Sequence, residues 1–178
     1  EPLTVLHQWQ GICYYKKKIT ITPEEEKKHI WIEFEGAMHL ADVWINGKHV
    51  MQHAGGYTPF VVDATGLLKT GKENELLVRL DNRNNSLIPP GKPLETLDFC
   101  YYGGIYRNVH LIAKADVHIT HPILDGHPAG AGIFITYPKV SQELSVVDAK
   151  TEIKNTSDKE KVVELRHTLY TWKKQKGK

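Results

Sequence analysis

The sequence predicts an all-β protein of the β-sandwich or jelly-roll kind, from three observations. Apolar residues recur with a period of two. Ile30, Ile32 and Phe34 alternate with Trp31, Glu33 and Glu35, and an earlier run alternates Tyr15, Lys17, Ile19 and Ile21. Turn-forming residues separate these short runs at the spacing of a sandwich: Thr22-Pro23, Ala54-Gly55-Gly56, Thr70-Gly71-Lys72 and the long stretch from Asp81 to Lys92. No segment sustains the 3.6-residue period of a helix, and Thr65-Gly66-Leu67-Leu68 offers at most one turn.

Each element has its own reason. Val43-Trp44-Ile45 and His49-Val50-Met51 flank Asn46-Gly47, a pair that a two-residue type I′ hairpin favours because both central residues need φ > 0. Glu75–Leu80 and Val109–Ala113 read as further short strands. Around Lys114 the texture changes, which places a boundary there and gives two domains, 1–114 and 115–178. In the second, Val117, Ile119 and His121 begin a strand, and a Gly/Pro-rich loop covers 125–132. Val146–Lys154 and Val162–Trp172 then read as two long strands. Those 64 residues are fewer than the roughly 100 of an immunoglobulin-type sandwich. The expectation is a chain cut inside such a domain, with Lys173, Lys174, Lys176 and Lys178 in a charged turn and an unpaired sheet edge left behind.

Composition bounds the function. The 178 residues carry a formal net charge of +2, with 23 Lys and Arg against 21 Asp and Glu, which gives no reason to expect nucleic acid or a membrane surface as partner. No apolar run approaches the ~18 residues of a membrane span. Cys13 and Cys100 form no CxxC motif, and sequence does not say whether they pair. No leader is recognisable, and the compartment stays open between cytoplasmic and exported.

Catalytic patterns are missing. There is no GxSxG elbow, no HExxH and no phosphate-binding glycine loop. His118, His121 and His127 lie close in sequence but lack the acidic or cysteine ligands of a metal site. Glu33 and Glu35 share one strand face roughly 7 Å apart, a separation that suits glycoside hydrolysis. Their neighbours point to the core, so theirs is the solvated face. The most informative stretch is Asp98-Phe99-Cys100-Tyr101-Tyr102-Gly103-Gly104-Ile105-Tyr106-Arg107, which sets a carboxylate and aromatic rings ahead of a strand. Residue chemistry leaves two readings of it: a packed aromatic turn, or a surface presenting rings to the C–H faces of a sugar and a carboxylate to its hydroxyls.

The order of several motifs resembles the front end of glycoside hydrolase family 2, most of all its β-galactosidases. They run Cys13-Tyr14-Tyr15-Lys16-Lys17, Phe34-Glu35-Gly36-Ala37 and Ala41-Asp42-Val43-Trp44-Ile45-Asn46-Gly47. Then come Gly55-Gly56-Tyr57-Thr58-Pro59-Phe60, 74–82 and Gly103-Gly104-Ile105-Tyr106-Arg107-Asn108-Val109. The resemblance implies a jelly-roll sugar-binding domain followed by an immunoglobulin-like domain, here incomplete. It further implies a (β/α)8 barrel elsewhere in the parent, which carries both catalytic glutamates and retains configuration. The chain is then a non-catalytic fragment, inactive alone and without catalytic or metal-ligating residues of its own. The resemblance carries one residue over, Asp98, as a substrate-binding residue that reaches the barrel's site; Tyr101 and Tyr102 are expected to bind substrate beside it on their chemistry, as rings next to that carboxylate. The resemblance makes a β-galactoside the partner carbohydrate and allows a homo-oligomeric parent. It implies no cofactor for this chain, while a monovalent cation or Mg2+ belongs to the parent. The family's β-glucuronidases share a similar aspartate loop and an approach like Pro89-Pro90-Gly91, so a β-glucuronidase fragment is the alternative. A free-standing carbohydrate-binding module is the other alternative.

Overall fold

Two antiparallel sheets face each other across the first part of the chain. The computed structural model describes residues 9–97, 99, 101–127 and 130–170. The chain divides between Ala115 and Asp116 into two compact units.

In the first unit one sheet has the order β1-β7-β4-β5, from Ile12–Ile19, Asn74–Asp81, Leu40–Ile45 and Lys48–Ala54. The other has the order β6-β2-β9, from Phe60–Asp63, His29–Phe34 and Val109–Lys114. A two-stranded ribbon, β3 (Ala37–Met38) with β8 (Gly104–Ile105), ties the loop before β9 to the start of β4. Alternation explains the packing. Opposite residues of an antiparallel pair share a face, so Val43 opposite Val78 and Ala41 opposite Leu80 send one apolar row inward. Ile30, Ile32 and Phe34 answer from the other sheet, and the Phe34 and Phe60 rings stack at 4.6 Å. Phe34 is fully buried, which contributes about 1.5–3 kcal/mol.

The 46–47 hairpin forms as its sequence dictates, with φ of 51° at Asn46 and 78° at Gly47. Asn46 does a second job. Its Nδ2 donates to Leu67 O at 2.9 Å and to Asn74 Oδ1 at 3.0 Å, and its Oδ1 accepts from Glu75 N at 2.9 Å. The buried Asn74 also accepts from Lys69 N at 2.9 Å and donates to Lys69 O and Ile19 O. Turn, hairpin and both flanking strands thus meet on one carboxamide.

Edge strands β1 and β9 border an apolar hollow of about 610 Å³, lined in part by Tyr15, Lys17, Ile32, Phe34, Val78 and Leu111. Lys17 lies opposite Leu76 and therefore on the core-facing side of β1. An inward charge on an edge strand discourages pairing with a stray strand.

The second unit is built from ladders of two strands. β10 (Val117–Ile119) pairs with β13 (Ile153–Asn155), and β11 (Ile133–Val140) pairs with β12 (Ser145–Thr151). Its buried centre is largely polar: His118, Thr120 and His121, with Ala131. Thr120 Oγ1 donates to Glu152 at 2.7 Å and accepts from Gly132 N at 2.8 Å. Lys154 meets Asp125 at 2.8 Å.

Two strands lie outside the expectations above, and one expected strand does not form over its described residues. Phe60–Asp63 is a strand that alternation does not reveal, because Phe60, Val61 and Val62 are all buried and the run has no polar face. Ile133–Val140 is a strand as well, directly after the Gly/Pro-rich loop. Residues 162–170 form no strand, and 171–172 lie outside the described residues. Apolar residues at 162, 163 and 165 supply β propensity, but a strand also needs a neighbour to complete its hydrogen bonds. Among the described residues that segment makes no backbone hydrogen bond to another strand; it borders β11 and β12 through side chains, with Leu169 lining the same hollow as Ile133 and Val147 and with His167 2.9 Å from Thr151.

Candidate functional site

The loop before β9 is fixed by a small cluster separate from the main core, formed by Met38, Tyr101 and Leu97. Tyr101 is 6% exposed. Its hydroxyl lies 2.5 Å from His39 Nδ1, and its ring stands edge-on to Tyr57 at 6.5 Å. Burial pushes the Tyr101 hydroxyl up to about 12 and pushes the His39 imidazole below its ordinary value. Both shifts favour a protonated phenol beside a neutral imidazole, with the hydroxyl donating to Nδ1. Further along, Tyr106 donates to Gly56 O at 2.6 Å.

Between these pins the chain turns through Gly103 and Gly104. Gly104 has φ of +94°, and a Cβ there would come within 2.5 Å of the Tyr15 hydroxyl. The turn therefore needs glycine for its backbone and for the close approach of Tyr15. Tyr102, next to the buried Tyr101, is 51% exposed.

Opposite lies the segment that leads into β1. Asn82, at the end of β7, holds it as a clasp: Nδ2 donates to Trp9 O at 2.9 Å, Oδ1 accepts from Gly11 N at 2.7 Å, and its own N–H donates to Gly11 O at 3.2 Å. Gln10 adds a bond to Asn84 at 2.9 Å. The Trp9 ring folds back over Gly11, where a Cβ would meet it at 2.6 Å. The result is a cleft of about 370 Å³ lined by Trp9, Cys13, Tyr15, Tyr102, Gly103 and Gly104. Trp9 is 61% exposed and Tyr15 41%.

A second, polar hollow lies beside it in the chain order, lined by His39, Leu40, Asp81, Arg83, Asn84 and Asn85. Arg83 binds Asp81 through Nε at 2.9 Å and through a terminal nitrogen at 2.6 Å, and Arg79 adds a bond at 3.2 Å. The Arg83 hydrogen bonds hold the Asp81 carboxyl below its usual range. Burial works against ionisation of Asp42, yet bonds from Gln52, His49 and Arg79 outweigh it and lower that carboxyl too. These carboxylates are spent on internal pairing.

The residues singled out from sequence fall unevenly. Asp98 and Cys100 lie outside the described residues. Tyr101 and Tyr102 are adjacent but divided, one buried in the supporting cluster and one on the cleft. Cys13 carries a free thiol on the cleft wall. Glu35 pairs with His110 at 3.0 Å and accepts from Asn108 N, and the His110 bond lowers its carboxyl. It is thus a clasp between β2 and β9 rather than half of a hydrolytic pair. Among the described residues no three His, Cys, Asp or Glu side chains converge as a metal site requires. Sequence reasoning missed Trp9, Tyr15 and Asn82 as site residues. Trp9 stands ahead of the first alternating run, where no period marks it.

Comparison with known proteins places the chain. Residues 4–115 match the family described as glycosyl hydrolases family 2, sugar binding domain. A β-glucuronidase of Bacteroides fragilis is 36% identical over 150 residues, 82% of this chain and 20% of that protein. A β-galactosidase of Thermoanaerobacter pseudethanolicus is 37% identical over 151 residues, 83% of this chain and 20% of that protein. The structure of Bacteroides uniformis β-glucuronidase superposes with a TM-score of 0.71 at 33% identity, covering 84% of this chain and 17% of that one. The chain spans about a fifth of the length of those two curated relatives. Motif order and sandwich agree with these matches: the chain belongs to glycosyl hydrolase family 2, through the sugar binding domain of that family.

Proposed function

We propose that this chain is the non-catalytic, carbohydrate-contacting part of a retaining β-glycosidase. Its loop at 97–106 forms one wall of a substrate pocket whose catalytic glutamates belong to a barrel outside these residues. The observation that carries the reading is the loop's construction. Tyr101, Leu97 and Met38 bury one side of it, while Tyr102 faces a cleft on the other. Anchored through Tyr101, Tyr102 presents its ring at little entropic cost. In this reading Asp98 accepts hydrogen bonds from sugar hydroxyls, Tyr102 gives an exposed ring, and Tyr101 supports both from beneath. The substrate class is a β-glycoside, with a β-galactoside as first choice. Relatives named β-glucuronidase, at 36% and 33% identity, favour a glucuronide as second reading.

The test has two parts. The 178-residue chain alone should not hydrolyse nitrophenyl β-galactoside or β-glucuronide, and turnover lost on Asp98→Ala would defeat the proposal. In a polypeptide that joins this chain to a catalytic barrel, Asp98→Ala should lower kcat/KM by about 1.5–3 kcal/mol of transition-state contact, the worth of a hydrogen bond to a charged group. An unchanged kcat/KM would remove Asp98 from the pocket.

A further inference from the structure

We propose that the cleft between Trp9, Tyr15 and Tyr102 is itself a stacking site for one neutral pyranose unit of the glycan, separate from the hydrogen bonds assigned to Asp98. The inference rests on the reading above that the chain contacts carbohydrate, and it adds residues and a preference to it.

Exposure is the first argument. Trp9, Tyr15 and Tyr102 are 61%, 41% and 51% exposed, and all three border the same hollow of about 370 Å³. Single apolar rings on a surface need no explanation, but three around one concavity of small-molecule size do. Their separate origins strengthen the point: the lead segment, the first strand and the glycine turn each send one ring to the cleft.

Construction is the second. Trp9 is not a loose side chain that failed to find a core. The carboxamide of Asn82 holds the backbone on both sides of Gln10, with bonds to Trp9 O and Gly11 N, and Asn82 itself is 2% exposed. Gly11 leaves the room the indole occupies, and Gly104 leaves the room for the Tyr15 hydroxyl. An exposed ring whose backbone is held by part-buried hydrogen bonds is pre-organised, which lowers the entropic cost of binding a ligand to it.

Chemistry of the lining chooses the ligand. Indole and phenol rings offer faces to the C–H side of a pyranose, and the Tyr15 hydroxyl and the 103–104 backbone offer groups to its hydroxyls. Among the described residues, none of the six that line the cleft carries a charge. A uronate carboxylate placed there would lose water and gain no cation, so the neutral sugar is preferred.

The experiment is a titration of the 178-residue chain with lactose, cellobiose and methyl β-galactoside, and in parallel with glucuronic acid, read by tryptophan emission and by NMR shifts. The neutral sugars should bind weakly but saturably. Trp9→Ala and Tyr102→Ala should each weaken binding about tenfold, the loss of one stacked ring, while Tyr102→Phe retains it. Tyr14→Ala is the control, since Tyr14 is exposed but alternates to the other face of β1. Glucuronic acid should bind at least about tenfold more weakly than the neutral sugars. No saturable binding, or binding indifferent to both alanine variants with folding intact by circular dichroism, would overturn the site. Equal affinity for glucuronic acid would overturn the stated preference. The outcomes separate from those above. Lost catalysis on Asp98→Ala without sugar binding here would keep the pocket wall and remove this site. Binding here with unchanged Asp98→Ala activity would do the reverse.

Discussion

The two units share a strand-forming composition but not a core. In the first, two sheets bring their apolar faces together. Phe34, Ala37, Ala41 and Val43 have no exposed surface, and Ile30, Ile32, Val78 and Leu80 have about 1%. In the second, β11 alternates as cleanly, yet Ile133, Ile135 and Tyr137 are 59%, 48% and 63% exposed. Its order comes instead from Thr120, Glu152, Asp125 and Lys154 bonded to one another and to the backbone. Alternation makes a strand with one apolar face, and only a second face turned toward it makes a core. Buried area and hydrogen bonds are therefore different supports, and mutations separate them.

The largest effect should follow Phe34→Ala. It removes a fully buried ring stacked on Phe60 and should cost the first unit about 3–5 kcal/mol. Urea unfolding followed by tryptophan emission measures it, and a cost below 1.5 kcal/mol would mean that the sandwich can collapse around the hole.

Next comes Asn74→Ala, which strands backbone groups of Lys69 and Ile19 and releases Asn46. The expected loss is about 1–3 kcal/mol. Faster amide exchange at Lys69 should accompany it, and unchanged exchange would show that Asn46 alone holds the turn.

Acid supplies the third test. Burial lowers the pKa of both His39 and His53 from the ordinary 6.5. A group whose folded-state pKa is depressed contributes stability that is present above its unfolded pKa and lost as pH falls through the folded one. Thermal stability should therefore decline from about pH 6.5 downward, before the carboxylates titrate. His39→Gln should flatten part of that slope, and the His53 part should remain. A slope untouched by the substitution would mean that His39 takes up its proton at no cost.

The smallest effect belongs to the second unit. Ile135→Ser should change stability by no more than about 0.5 kcal/mol, because the side chain is half exposed. A loss comparable to that of Phe34→Ala would break the contrast and show that β11 covers a core.

Local rules make part of the candidate site legible in the sequence. The loop from Asp98 to Arg107 stood out because glycines, rings and a carboxylate crowd ten residues. That Tyr101 and Tyr102 take opposite parts was hidden, since neighbours in an irregular loop carry no period to say which faces inward. Trp9 and Asn82 were hidden for another reason. They meet across 73 positions of chain through a backbone hydrogen bond, and no local pattern records such a meeting.

The sequence by itself determined the β class, the hairpin at Asn46-Gly47, the inward row of β2 and the family. Each of these rests on spacing within a few residues or on the order of short motifs. Only the tertiary structure decided that Phe60–Asp63 is a strand, that 162–170 is not, and that three separate rings share one cleft. Those outcomes depend on which neighbour is present to complete hydrogen bonds and bury surface, a property of chain segments brought together rather than of any segment alone.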